Sequence, residues 1–198
     1  MYRVLGLIIG YFLGCINFAY IIGRFKEHID IREYGSGNSG TTNAIRVMGW
    51  RLGMLTFLGD FLKSLVAYFV VAAIFDNVVY GLYAGFGAIL GHNWPVFLRF
   101  KGGKGIASTI GLIYAVDWRL GLLVSIEMFL VIYITKYVSL GSIIMAIIMP
   151  VGFFLFHSEL PEFTYVGLVL MVMALVRHKA NIQRLLRGKE NKIGTKKV

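Results

Sequence analysis

The sequence predicts an all-α integral membrane protein of about seven transmembrane helices, with the N-terminus outside and the C-terminus in the cytoplasm. Three observations predict it. The 198 residues are 58% hydrophobic and only 15% charged, with a mean hydropathy of +0.73, a balance that no soluble domain carries. Apolar runs of helical length alternate with short polar segments. Twenty basic residues stand against 10 acidic ones, a net charge of +10, and nearly all the Lys and Arg gather in alternate polar segments. No internal repeat or low-complexity segment interrupts the chain, so one transmembrane domain over residues 1–198 is expected.

The first span is expected over residues 4–23, about the ~20 residues that a bilayer crossing needs. Leu13-Gly14-Cys15 looks like a lipoprotein signal, but only Arg3 charges its front and cleavage at Cys15 would cut the span in two. An uncleaved helix is expected instead. Cys15 is the single cysteine, so no internal disulfide can form and redox compartment cannot be read. Residues 24–51 form the first polar segment. A second span covers 52–75 and turns at Asp76-Asn77, and a third, short one covers 79–91. After the polar segment 92–104, a fourth short span covers 105–116 and turns at Asp117-Trp118. The fifth covers 120–133, ending at Lys136, and the sixth 138–156, with Pro150 as a kink that neighbouring helices must accommodate. The turn 157–162 leads to a seventh span over 163–176 and a basic tail, 177–198. Counting basic residues places 24–51, 99–104, Lys136 and the tail on the cytoplasmic face. The chemically rich segments are thus expected on one side of the membrane, where so basic a surface suits anionic substrates or lipid head groups rather than nucleic acid.

The first rich segment reads Tyr34-Gly35-Ser36-Gly37-Asn38-Ser39-Gly40-Thr41-Thr42-Asn43-Ala44-Ile45-Arg46. Closely spaced glycines let backbone N–H groups turn towards an anion, hydroxyls of Ser36, Thr41 and Thr42 add donors, and Arg46 adds a fixed charge. A flexible connection between two spans is the plainer alternative. In the second segment, Trp94, Phe97, Leu98 and Phe100 suit the membrane interface, and Lys101-Gly102-Gly103-Lys104 opens the fourth helix, whose N–H groups and dipole attract anions. It is no Walker loop, since Leu98 stands where the first glycine would and Gly105 follows Lys104. In the third, His178 and Asn181 share a helical face as the last span ends, and Ile182, Leu185 and Leu186 form the apolar side of a short interfacial helix.

These three motifs, in this order, resemble those of the bacterial acyl-phosphate:glycerol-3-phosphate acyltransferases, the PlsY family. The residues that carry the resemblance are 35–43 with Arg46, then Gly91-His92 through Pro95 to 100–105, then His178, Asn181-Ile182 and Arg184-Leu185-Leu186. Asp60 with Lys63, and Ser139-Leu140-Gly141-Ser142, resemble secondary patterns of the family. Thr41 departs from it, standing where alanine is usual. The resemblance spans the whole chain and implies a bacterial inner-membrane enzyme with its site facing the cytoplasm. It implies transfer of a fatty acyl group from acyl phosphate to the 1-hydroxyl of sn-glycerol 3-phosphate, giving lysophosphatidic acid and phosphate. No cofactor, metal or nucleic acid is expected, and a lipid-embedded monomer is.

The residues present narrow the chemistry. No His is followed at the fifth position by Asp: Glu33, Phe97, Glu162 and Gln183 stand there. There is no Gly-x-Ser-x-Gly elbow and no metal-ligand spacing among His28, His92, His157 and His178. Acyl phosphate is already an activated anhydride, so positioning and charge neutralisation suffice, with the donor phosphate accepting the alcohol proton and no acyl-enzyme formed. His178 is the reserve base. By the resemblance, Ser36, Gly37, Asn38, Gly40, Thr41 and Thr42 cradle the donor phosphate, with Ser142 as a further donor. Arg46, Lys104, His178 and Asn181 are the catalytic set that grips glycerol 3-phosphate, and Asn43, His92, Lys101, Gly102 and Gly103 complete the substrate site. Asp60 and Lys63 are expected to form a buried pair or to orient Arg46. Glu127 has no evident partner. Two other classes stay open at this point: a transporter of phosphorylated metabolites, which inverted repeats would favour, and an anionic-lipid scaffold, which would need no glycine loop.

Overall fold

The computed structural model describes residues 1–193, which form helices and short turns. Lys196 and Lys197, expected as solvated charge in the tail, lie outside the described residues. The chain packs as two compact units, Met1–Val116 and a second that begins at Asp117.

In the first unit the expected first span is broken. Helix α1 (Tyr2–Gly14) stops, and α2 (Phe18–Lys26) restarts on Asn17, whose side chain accepts from the Tyr20 N–H at 2.9 Å. The carboxamide of Asn17 satisfies a first-turn donor, which competes with continuing the helix from α1. A 3₁₀ turn, Ile31–Glu33, follows on an Asp30 cap. Helix α3 (Thr41–Phe75) then begins at Thr41, not near Leu52 as expected, and bends at Gly49, whose φ of 83° and ψ of 173° are open only to glycine. An apolar run marks only the membrane-depth part of such a helix, so its polar opening was hidden. Helix α4 (Val78–Asn93) lies against α1 so closely that a Cβ at Gly10 or Gly14 would collide with the backbone of Ala84 or Ala88. Ala67 and Val71 of α3 join Ala84 and Ala88 in the core of this unit. A second 3₁₀ turn, Val96–Leu98, leads to α5 (Ile106–Val116).

The second unit starts with α6 (Trp118–Thr135), capped by Asp117, followed by α7 (Val138–Phe156), α8 (Pro161–Arg177) and α9 (Lys179–Leu186). Pro150 lies inside α7, where Gly167 of α8 packs against it. Both carboxylate oxygens of Glu127 are buried on α6 without a hydrogen-bond partner among the described residues.

Each of the seven expected apolar segments is helical. By length and composition four helical stretches can cross a membrane: Tyr2–Lys26, Thr41–Phe75, Trp118–Thr135 and Val138–Phe156. A fifth is added if α8 and α9, bent by 62°, count as one. The 11 residues of α5 rise about 16 Å, roughly half a hydrocarbon core.

Candidate active site

In the first unit the glycine loop is organised by a side chain that sequence reasoning had assigned to substrate. Asn43 is buried, and its Oδ1 accepts from the Ser36 N–H at 2.8 Å while its Nδ2 donates to the carbonyls of Ile31 (3.2 Å) and Tyr34 (3.0 Å). Its carboxamide is therefore occupied by its own loop. Gly35 has a φ of 62°, and a Cβ there would collide with Asn43 Oδ1, so glycine is needed for the loop to close over this amide. Ser39 is wholly buried and accepts two hydrogen bonds from Asn17, at its carbonyl (3.2 Å) and its hydroxyl (3.1 Å).

The loop then delivers a run of free donors. The backbone N–H groups of Asn38, Ser39, Gly40, Thr41 and Thr42 find no acceptor among the described residues. The last two are the opening residues of α3, where the helix leaves its first N–H groups unused. The extra hydroxyl that Thr41 brings is buried and lacks a partner among the described residues. Arg46 is exposed in the opening turns of α3, not at the end of the loop as expected, and its Nη1 lies 3.4 Å from Asn43 Oδ1. Such an arrangement, amide donors and a helix N-terminus with a guanidinium nearby, binds a phosphate-like anion.

The second loop is tied to the first by Arg32. Its Nη1 donates to the Leu98 carbonyl at 3.0 Å, while its Nε and Nη2 grip Asp30 at 2.9 and 2.7 Å. The Arg32 hydrogen bonds hold the Asp30 carboxyl below the usual carboxylate range. Before the lysines the backbone takes two consecutive left-handed residues, Arg99 (φ 55°) and Phe100 (φ 59°), held by Phe100 N–H to Pro95 O at 3.0 Å and Lys101 N–H to Leu98 O at 3.2 Å. Gly102 and Gly103 are buried against His92: a Cβ on Gly102 would strike the His92 carbonyl, and one on Gly103 would strike Nε2. The glycines between the lysines thus have a packing reason. Lys101 is exposed and Lys104 half-buried.

His92 is itself held from beneath. Its Nδ1 lies 2.9 Å from Lys63 Nζ and 3.3 Å from Asp60 Oδ1, and Lys63 reaches Asp60 at 2.9 Å. Asp60 and Lys63 therefore form the expected buried pair, and it engages His92 rather than Arg46.

In the second unit, His178 is buried with Nδ1 2.8 Å from the Ala174 carbonyl. A carbonyl only accepts, so Nδ1 carries a proton and donates it there. Asn181 Nδ2 donates to Glu190 Oε1 at 2.7 Å, Ser139 Oγ to the same oxygen at 3.1 Å, and Arg184 Nε to Oε2 at 2.8 Å. Glu190, absent from the sequence-based site, is the centre of this cluster. Its one signal was an isolated acid in a basic tail. Ser142, expected as a phosphate donor, donates instead to the Val138 carbonyl at 2.9 Å, the turn preceding it on α7.

A family model described as glycerol-3-phosphate acyltransferase matches residues 4–188. The chain belongs to the glycerol-3-phosphate acyltransferase family. The glycerol-3-phosphate acyltransferase of Thermoanaerobacter sp. (strain X514) is 43% identical over 196 residues, covering 99% of this chain and 98% of that one. That of Alkaliphilus metalliredigens (strain QYMF) is 47% identical over 197 residues, with 99% and 98% covered. Two crystal structures of PlsY, described as an integral membrane glycerol 3-phosphate acyltransferase, share the fold. Its glycerol 3-phosphate form gives a TM-score of 0.90 at 34% identity, and its lysophosphatidic acid form 0.86 at 33%. Each covers 98% of this chain and 97% of its own. Within this acyltransferase the first unit carries the loop residues, Arg46, His92 and Lys101 to Lys104, and the second carries Ser142, His178 and Asn181.

Proposed function

We propose that this chain transfers a fatty acyl group from acyl phosphate to the 1-hydroxyl of sn-glycerol 3-phosphate, releasing lysophosphatidic acid and inorganic phosphate. The observation that carries the proposal is the run of five acceptor-free N–H groups from Asn38 to Thr42, opening α3 beside Arg46, in a chain of this family. These donors bind the donor phosphate, and Arg46 and Lys104 neutralise the charge that two phosphorylated substrates bring together. The hydroxyl oxygen bonds to the acyl carbon as the acyl–phosphate bond breaks, and the hydroxyl proton passes to the departing phosphate. No acyl-enzyme is formed. His178 and Asn181 are assigned to glycerol 3-phosphate, as are Lys101, Gly102 and Gly103.

The reading places the protein in the bacterial inner membrane as a monomer of seven spans, with the site towards the cytoplasm. Support for the count comes from the helicity of all seven apolar segments, and for orientation from the bias of basic residues.

The test is product formation by purified protein given glycerol 3-phosphate and one of three donors. Acyl phosphate should give lysophosphatidic acid and stoichiometric phosphate, whereas acyl-CoA and acyl-carrier protein should give none. Turnover with acyl-CoA, or none with acyl phosphate, overturns the proposal.

A further inference from the structure

Lys63 lies in the apolar part of α3 with its side chain only 4% exposed, and an ionisable group there demands a function. Its Nζ has three acceptors, each at 2.9 Å: the Ile16 carbonyl, Asp60 Oδ1 and His92 Nδ1. An ammonium has three N–H bonds, and all three are matched in the tautomer in which Nδ1 of His92 supplies a lone pair. That tautomer carries its proton on Nε2, the edge against which Gly103 packs. The Gly103 N–H also donates to the His92 carbonyl at 3.1 Å. On its other side Lys63 grips Ile16, whose neighbour Asn17 holds Ser39 of the glycine loop.

A pair kept for stability alone would not look like this. Buried ion pairs are often replaceable by apolar side chains without loss, and here Asp60 Oδ2 is left without a partner among the described residues. What the ammonium does supply is a link from the break between α1 and α2 to the imidazole beneath the second loop. We propose that Lys63 is a positioning residue, locking His92 under the 101–104 loop and registering that loop on the glycine loop. The proposal rests on the assignment of the 101–104 loop to glycerol 3-phosphate.

Two measurements on the full-length protein in detergent test it. Hydrogen–deuterium exchange of peptides covering 99–105 should speed up at least tenfold in Lys63→Met, with α6 and α7 unchanged. In acyl transfer, KM for glycerol 3-phosphate should rise about tenfold while kcat changes less than about threefold, the mark of a displaced binding loop. His92→Gln, which removes only the Nδ1 acceptor, should reproduce both effects and decides the matter if Lys63→Met does not fold. His92→Asn, which keeps an acceptor near the Nδ1 position, should lie closer to wild type than His92→Gln. Unchanged exchange at 99–105, or a uniform rise in exchange with kcat and KM affected alike, overturns the proposal. If the wild type does not turn over, the acyltransferase reading fails while the exchange arm still decides the role of Lys63.

Discussion

Asn43 shows how one side chain can build a site from within. Its carboxamide closes the glycine loop through three hydrogen bonds, two donated and one accepted. Asn43→Asp keeps the acceptor but sets a carboxylate against the Ile31 and Tyr34 carbonyls. A loss of about 1–3 kcal/mol follows from buried groups left unpaired, to be read as a lower Tm in detergent. A Tm within one degree or so of wild type would show that the loop closes by other means. Arg46 stands apart, exposed and reaching Asn43 only at 3.4 Å, so little ties it to the fold. Arg46→Ala should therefore leave Tm unchanged yet lower kcat/KM by roughly 100-fold or more. Arg46→Lys should also be poor, because an ammonium cannot reproduce the guanidinium fork. Near-normal kinetics in either variant would move the anion site elsewhere.

At the scale of elements, the glycine kink and the helix cap carry the sharpest expectations. Gly49 turns α3 between its polar opening and its membrane-crossing part, in a conformation that a side chain strains by about 1–3 kcal/mol. In Gly49→Ala the helix must straighten or bear that strain. Straightening displaces Arg46 and should lower kcat/KM for glycerol 3-phosphate, whereas bearing the strain should lower Tm alone; an active, fully stable variant would remove the kink from the mechanism. Asp117 caps α6 through the Arg119 N–H at 2.9 Å and pairs with the Arg119 guanidinium at 2.7 Å. The Arg119 hydrogen bond pulls the Asp117 carboxyl down to about 2. A depressed folded-state value means the contribution is complete above the ordinary carboxylate range and is lost as pH falls from about 4 towards 2. Asn is as good a cap as Asp, so Asp117→Asn isolates the charge. The variant should melt lower than wild type at pH 7, and the gap should close near pH 2. A gap that is independent of pH would assign the effect to packing.

For the whole molecule, the distribution of basic residues makes the prediction. Cysteines placed at Ser39, Lys101 and Lys189 on a Cys15→Ser background should resist a membrane-impermeant thiol reagent in intact cells and react after lysis. Labelling of any of the three in intact cells overturns the proposed orientation. Ser39 is buried in the structure, so a lysed-cell control in denaturant is needed for that position.

Sequence alone determined the helical class, the membrane setting, the seven apolar segments and the two loops, because apolar runs and glycine-rich segments are local signals. It also picked out Asp60 and Lys63 as a buried pair, since two opposite charges a turn apart in an apolar helix have few other options. The break at Asn17, the early start of α3 at Thr41 and the bend at Gly49 were not legible there. Each depends on whether a polar side chain or a glycine finds its partner or its room in the fold. The same holds for the occupied carboxamide of Asn43, the Lys63–His92 contact and the cluster on Glu190, whose partners are set by how the chain folds back on itself. Spacing along a helix says which residues share a face. Only tertiary packing decides what that face meets, and so which donors are left free for a substrate.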